Sequence, residues 1–182
     1  MKRLGLLRHA KSSWEDTDLR DFDRGLNARG RKGAVLMGRH IAKFGVDWDV
    51  LFASPAQRVR QTLESALEFI GRDSPLIWDE RLYLASAPVM LDVLRHAEPD
   101  ADNILLVGHN PGLQDMLFEL VPDHAQDRKF DEAVRKFPTA AFAVLELDID
   151  AWRDIDSGCG KLVHFARPRD FDTTLGPETE LY

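Results

Sequence analysis

Three short apolar runs stand out along the chain, and each leads directly into polar residues that include a cation or an imidazole. Leu4-Gly5-Leu6-Leu7 runs into Arg8-His9. Val50-Leu51-Phe52-Ala53 runs into Ser54-Pro55-Ala56-Gln57-Arg58, and Ile104-Leu105-Leu106-Val107 into Gly108-His109-Asn110-Pro111. Runs this short and this continuously apolar read as strands buried on both faces.

The segments between them repeat at helical spacing. Ala34, Met37, Ile41 and Phe44 mark one buried face, with Asn27 as N-cap and Gly45 as the stop. Val59, Leu63, Ala66 and Ile70 mark a second, for which Ser54-Pro55 reads as cap and first helical residue. Ser86 is expected to cap a helix through residue 97. Asn110-Pro111 repeats the cap-plus-proline start ahead of Leu113, Met116, Leu117 and Leu120. Residues 76–79 predict another short strand. Residues 141–147 and 161–165 predict two more, as hairpin partners across an Asp/Gly-rich stretch. Residues 10–26 read as a loop over the first strand end, and 121–138 as charged and irregular. The expected fold class is α/β: a single three-layer domain over residues 1–170, with a mostly parallel central sheet and helices on both faces. A polar, loosely ordered tail is expected over 171–182.

Composition narrows the function classes. A length of 182 residues suits one domain, and 44% hydrophobic with 30% charged residues is ordinary for a soluble globular chain. Net charge is −7, which argues against a general nucleic-acid binder. No apolar run approaches a membrane span, so no membrane partner is expected. Lys2-Arg3 ahead of four apolar residues is too short for a signal peptide, and the expected location is cytoplasmic. The single cysteine, Cys159, excludes an intramolecular disulfide and a cysteine metal cluster. The histidines lack a metal-ligand spacing, so neither metal nor other cofactor is expected.

The chemistry lies at the strand ends. In an open α/β sheet, ligands bind outside the carboxyl ends of parallel strands, so Arg8, His9, Arg58 and His109 are expected to converge there. Two guanidiniums and two imidazoles in an otherwise acidic protein make a selective phosphoryl site. Arg8 can grip two phosphate oxygens in a fork. Arg58, in the first turn of its helix, adds to an N-terminus that already favours anions. Arg60, two positions on, faces elsewhere and is expected to be a solvent-facing charge. A neutral imidazole whose other ring nitrogen is held by an acceptor can attack phosphorus, and a second, protonated one can donate to a phosphoryl oxygen. Each signal alone is weak; their recurrence at one topological position carries the inference.

These residues resemble a known family. Leu7-Arg8-His9-Ala10-Lys11-Ser12 is similar to the Arg-His-Gly signature of the histidine phosphatase superfamily, which has the phosphoglycerate mutase-like fold. Ser54-Pro55-Ala56-Gln57-Arg58 with Gln61-Thr62 resembles its second motif, and Gly108-His109-Asn110-Pro111 its third. Asp23, Arg24 and Leu26 resemble the segment before the first helix. The resemblance spans residues 3 to about 165, and the short chain is most similar to the SixA-like phosphohistidine phosphatases. It implies that His9 is the phosphorylated nucleophile and that Arg8, Arg58 and His109 hold the phosphoryl group. Ala10 departs from the usual glycine, which predicts a slightly altered loop with the chemistry retained. Glu80, in Asp79-Glu80-Arg81-Leu82-Tyr83, stands where many members carry an acidic residue after a strand. Buried beside a phosphate, such a carboxyl would protonate the leaving group; otherwise it pairs with a neighbouring arginine.

Other histidines carry no chemistry in this reading. Arg95-His96-Ala97 repeats the motif letters but ends a predicted helix, where cations are favoured. His40 is expected on the surface, His124 in a loop and His164 within a strand. The functional expectation is a metal-independent phosphatase acting through phospho-His9, on the phosphohistidine of a phosphorylated protein. Small phosphorylated substrates, a mutase activity, or a non-catalytic module that binds phosphorylated partners remain alternatives.

Overall fold

Side chains of a strand alternate between two faces, and here both faces are apolar. The structure, a computed structural model, describes residues 1–71 and 73–177. Leu4, Leu6, Phe52, Ile104, Leu106 and Leu145 belong to one core, while Leu7, Leu51, Leu105, Val107 and Val144 belong to the other. The strands are β1 (Lys2–Arg8), β2 (Val50–Ala53), β3 (Leu76–Trp78), β4 (Asn103–Gly108), β5 (Phe142–Leu147) and β6 (Gly160–Ala166). They form one mixed sheet in the order β3-β2-β4-β1-β5-β6. Neighbours from β3 to β1 pair in parallel, and β5 runs antiparallel to both β1 and β6. The expected hairpin partnership of the last two strands is therefore present.

Helices α1 (Ala28–Phe44) and α2 (Gln57–Ile70) cover one face, contributing Met37, Ile41, Val59 and Leu63. Helices α3 (Ala87–Arg95), α4 (Gly112–Leu120) and α5 (Arg128–Arg135) cover the other, contributing Met90, Leu94, Leu117 and Phe130. Asn27 caps α1 by accepting from the Gly30 amide at 2.7 Å, and Gly45 ends it with φ 78°, as expected. Gly5 is required by a close approach: a Cβ there would lie 2.6 Å from the Trp48 ring.

Four local expectations are corrected. Ser54-Pro55 does not open α2: the cap position is Ala56, and the Ser54 hydroxyl is drawn away by a histidine. Asn110 does not cap α4, which starts at Gly112: its amide nitrogen is turned to Gln114 and the Phe137 carbonyl, and its buried Oδ1 reaches no helix N–H. The helix after Ser86 stops at Arg95, two residues early. The stretch 121–138 contains α5, capped by Asp127 accepting from the Phe130 amide at 2.9 Å. Its apolar stripe is only Phe130, Ala133 and Val134 on an otherwise charged segment, which hides its period. The expected tail lies in part outside the described residues; within them, 173–175 make a short 3-10 turn.

Register places the site. Arg8 is level with Gly108 on β4, and Ala53 with Val107. His9, Ser54 and His109 therefore leave the sheet at one height, at the carboxyl edge of three adjacent parallel strands.

Candidate active site

His9 follows the last residue of β1 and is only 7% exposed. Its Nδ1 lies 2.8 Å from the Ala10 carbonyl, which can only accept, so Nδ1 carries the proton. The lone pair of Nε2 then faces inward and accepts from Arg58 Nε at 3.3 Å. Burial first, then the neighbouring His109, Arg58 and Arg8, push the His9 pKa down to about 3 against the lift from the Ala10 carbonyl. The imidazole is neutral at physiological pH with its unprotonated nitrogen in the pocket.

The backbone around His9 is clamped from both sides. The Ala10 amide donates to Thr62 Oγ1 at 2.9 Å, and that hydroxyl donates to the Arg58 carbonyl at 2.7 Å. The first and second motifs are thereby joined directly. The Ala140 amide reaches the carbonyls of both Arg8 and His9, at 3.1 and 3.0 Å. Ala140 does so at φ 59°, in the left-handed region that a β-carbon disfavours by ~1–2 kcal/mol. Ala10 is fully buried and has no positive φ, so the methyl group in place of glycine adds no backbone strain.

Arg58, 3% exposed, sits between the imidazoles, with Nη2 3.3 Å from His109 Nδ1. The His9 and His109 rings are 5.2 Å apart between centroids. His109 Nε2 lies 2.7 Å from the Ser54 hydroxyl. Burial and then Arg58 push the His109 pKa down to about 3, so the expectation of a protonated second imidazole does not hold without an anion in the pocket. With Nδ1 accepting from Arg58, Nε2–H donates to Ser54. A phosphoryl dianion beside Nδ1 would favour its protonation.

Arg8 Nη1 donates to the Phe137 carbonyl at 2.8 Å, while its buried Nε has no partner. Burial and then the Arg58 charge lower its pKa, a cost that an anion would relieve. Arg60 is not simply solvent-facing: its Nε holds the Pro55 carbonyl at 2.9 Å and its guanidinium stacks on Trp78 at 4.3 Å. Arg58 and Arg60 do point apart, as their spacing requires.

Two site residues were missed in the sequence. Asp21, in a 3-10 turn over 21–23, accepts from Arg58 Nη2 at 3.0 Å, from Arg24 at 2.5 Å and from the Tyr83 hydroxyl at 2.5 Å. The Tyr83 bond first, then Arg24 and Arg58, hold its carboxyl well below the usual carboxylate range despite partial burial. The Tyr83 ring packs edge-on against His109 with centroids 5.5 Å apart. Both residues lie in segments without periodicity; the only signal was the Asp21-Phe22-Asp23-Arg24 charge cluster.

Glu80 opens the 3-10 turn that carries Tyr83, but its side chain is exposed and makes no hydrogen bond or ion pair among the described residues. Its neighbours Asp79 and Arg81 pair with each other instead, at 2.7 Å. His40, expected on the surface, is half-buried with Nε2 2.8 Å from His164 Nε2. Among the described residues, no group of three or more His, Cys, Asp or Glu could hold a metal ion, and no helix is long and apolar enough to cross a membrane.

The sheet, its two helical layers and the cationic pocket around a neutral imidazole define a hydrolase of phosphoryl groups with the phosphoglycerate mutase-like fold. The sequence profile of the histidine phosphatase superfamily (branch 1) matches residues 4–83. The uncharacterised protein Rv1276c of Mycobacterium tuberculosis is 34% identical over 164 residues, spanning 90% of this chain and 100% of that one. The chain belongs to the histidine phosphatase superfamily. Two solved structures assigned as phosphohistidine phosphatase SixA are similar over nearly their whole length. The one from Nakamurella multipartitia is 28% identical with TM-score 0.80, covering 92% of this chain and 96% of that chain. The one from Agrobacterium tumefaciens is 29% identical with TM-score 0.75, covering 92% and 98%.

Proposed function

We propose that this phosphatase removes phosphoryl groups from phosphohistidine on proteins, through a covalent intermediate on His9 Nε2. The observation that carries the intermediate is the His9 tautomer, with Nδ1 held by the Ala10 carbonyl and Nε2 turned to Arg58. The Nε2 lone pair attacks phosphorus as the bond from phosphorus to the substrate imidazole breaks. Water then attacks phosphorus, the bond to His9 breaks, and inorganic phosphate leaves. Arg8, Arg58 and His109 hold the equatorial oxygens, where phosphoryl transfer gathers charge.

Leaving-group chemistry supports the substrate. An alkoxide needs a proton as it departs, whereas an imidazole, with a conjugate-acid pKa of ~6.5, needs far less help. Asp21 is held ionised and cannot be that acid, and Glu80 is exposed. A site so equipped suits phosphohistidine better than alkyl phosphates. The two solved structures assigned as phosphohistidine phosphatases point the same way. A lone thiol without a disulfide partner fits a cytoplasmic setting.

The test is a panel of phosphohistidine protein, a sugar phosphate and an aryl phosphate. A denaturant quench should trap label on the protein that is stable in alkali and lost in acid, and His9→Ala should abolish both label and turnover. Glu80→Gln should leave phosphohistidine turnover unchanged, with any loss falling on alkyl phosphates. Efficient turnover of the sugar phosphate with none on phosphohistidine protein would overturn the substrate. Binding without label or turnover would leave only a phosphate-binding module.

A further inference from the structure

The carboxyl edge of the sheet continues past β1. Because β5 runs the other way, its start lies at this edge, and β6 again ends there. The flanking segments are Lys136–Thr139 before β5 and Arg167–Arg169 after β6. Together with Arg8 and Lys11 from the end of β1, they line a cleft of about 340 Å³. The phosphoryl pocket thus sits over β2, β4 and β1, and this cleft over β1, β5 and β6, with Arg8 common to both.

The charges around the cleft are unevenly compensated. Arg167 is paired with Asp170 at 3.0 Å, and Arg29 donates to the Gly176 carbonyl. Lys11, Lys136 and Arg169 have no side-chain hydrogen bond or ion pair among the described residues. Arg8 Nε is buried without a partner. Among the described residues, three unpaired cations and a half-satisfied guanidinium line one concavity in a chain of net charge −7. Hydrolysis of a single phosphoryl group on His9 uses none of Lys11, Lys136 or Arg169.

We propose that this cleft is a second anion subsite, contiguous with the phosphoryl pocket through Arg8, that takes the second phosphate of a ligand carrying two phosphates close together, as in a diphosphate or a bisphosphate. Arg8 suits the bridging position, because its planar fork presents donors along two edges. The cleft is concave and of small-ligand size, which favours a compact anion over a broad protein face. The inference rests on the reading of Arg8, Arg58 and His109 as a phosphoryl pocket, but not on which molecule donates the phosphoryl group.

The experiment titrates pyrophosphate and orthophosphate, by calorimetry at low salt, into His9→Ala protein so that no turnover intervenes. A second protein adds Lys136→Ala and Arg169→Ala. A third removes the same charge at the opposite edge, through Arg153→Ala and Lys161→Ala. Pyrophosphate should bind more tightly than orthophosphate, and the Lys136/Arg169 pair of substitutions should weaken pyrophosphate by ~10-fold while sparing orthophosphate. The opposite-edge pair should change neither. Equal affinity for the two anions, or equal losses for both, would overturn the subsite. With His9 intact, a raised KM for phosphohistidine protein on Lys136→Ala and Arg169→Ala, alongside unchanged pyrophosphate affinity in the His9→Ala background, would assign these cations to protein docking and also overturn it. Loss of orthophosphate binding with pyrophosphate retained would count against the phosphoryl pocket and leave the subsite standing.

Discussion

Replacing Arg58 with alanine tests the site most directly. Arg58 is 3% exposed, and its guanidinium stands 3.3 Å from both His9 Nε2 and His109 Nδ1. A phosphoryl group on His9 would therefore lie within about 4 Å of it. Unit charges at that distance, at an effective dielectric constant of about 20, interact by about 4 kcal/mol. Removing one preorganised donor from developing charge costs about 2.7–4 kcal/mol, which is about 10²–10³ in rate. The two routes agree, so kcat for Arg58→Ala should fall by about 10²–10³-fold. Arg60→Ala is the control. It loses one hydrogen bond to the Pro55 carbonyl and a stacking contact with Trp78, so it should lower stability by about 1 kcal/mol and leave the chemical step nearly intact. Steady-state turnover of an aryl phosphate, with thermal unfolding of both variants, separates the effects. A loss below ~10-fold at Arg58, or a larger loss at Arg60, would refute this arrangement of charges.

Three further outcomes follow from the geometry. Ser54→Ala strands the buried His109 Nε2–H, so it should cost about 1–3 kcal/mol of stability and shift the pH profile of kcat; an unchanged profile would show that Ser54 does not set the tautomer. Stability should decline as pH falls from ~6.5 toward ~4, because His9, His109 and His164 have folded pKa values pushed down to about 3, 3 and 4. The folded state then binds fewer protons than the unfolded chain, so their contribution is fully present above the ordinary 6.5 and is lost below it, whereas Asp21 and Asp172 act only below 3.8. Urea unfolding at pH ~7 and ~5 checks the sign, and stability that rose on acidification would contradict it. Activity should also survive exhaustive chelation if, as proposed, arginine and imidazole meet the phosphoryl charge; loss restored by a divalent ion would show otherwise.

The sequence by itself determined the frame. Continuous apolar runs specify strands buried on both faces, helical stripes specify the covering layers, and the residue after each run is placed at the carboxyl edge by topology alone. Arg8, His9, Arg58 and His109 were legible because each sits at such an end, and Arg58 was separated from Arg60 by helical phase. Proline-containing pairs misled, because Ser54 and Asn110 carry side chains that cap helices when nothing else competes. In the folded chain His109, Gln114 and Phe137 compete for them. Only tertiary structure decided the rest. Thr62 joins the first two motifs across 52 positions, Asp21 reaches Arg58 across 37, and Tyr83 reaches Asp21 across 62. The basic cleft needs the reversal of β5, which brings Lys136 and Arg169 beside Arg8 from segments that are merely charged loops in the sequence. Periodicity records which face of an element is buried, but an isolated polar side chain in a loop records nothing about its partner. That partner is chosen when the sheet closes and the loops meet at its edge.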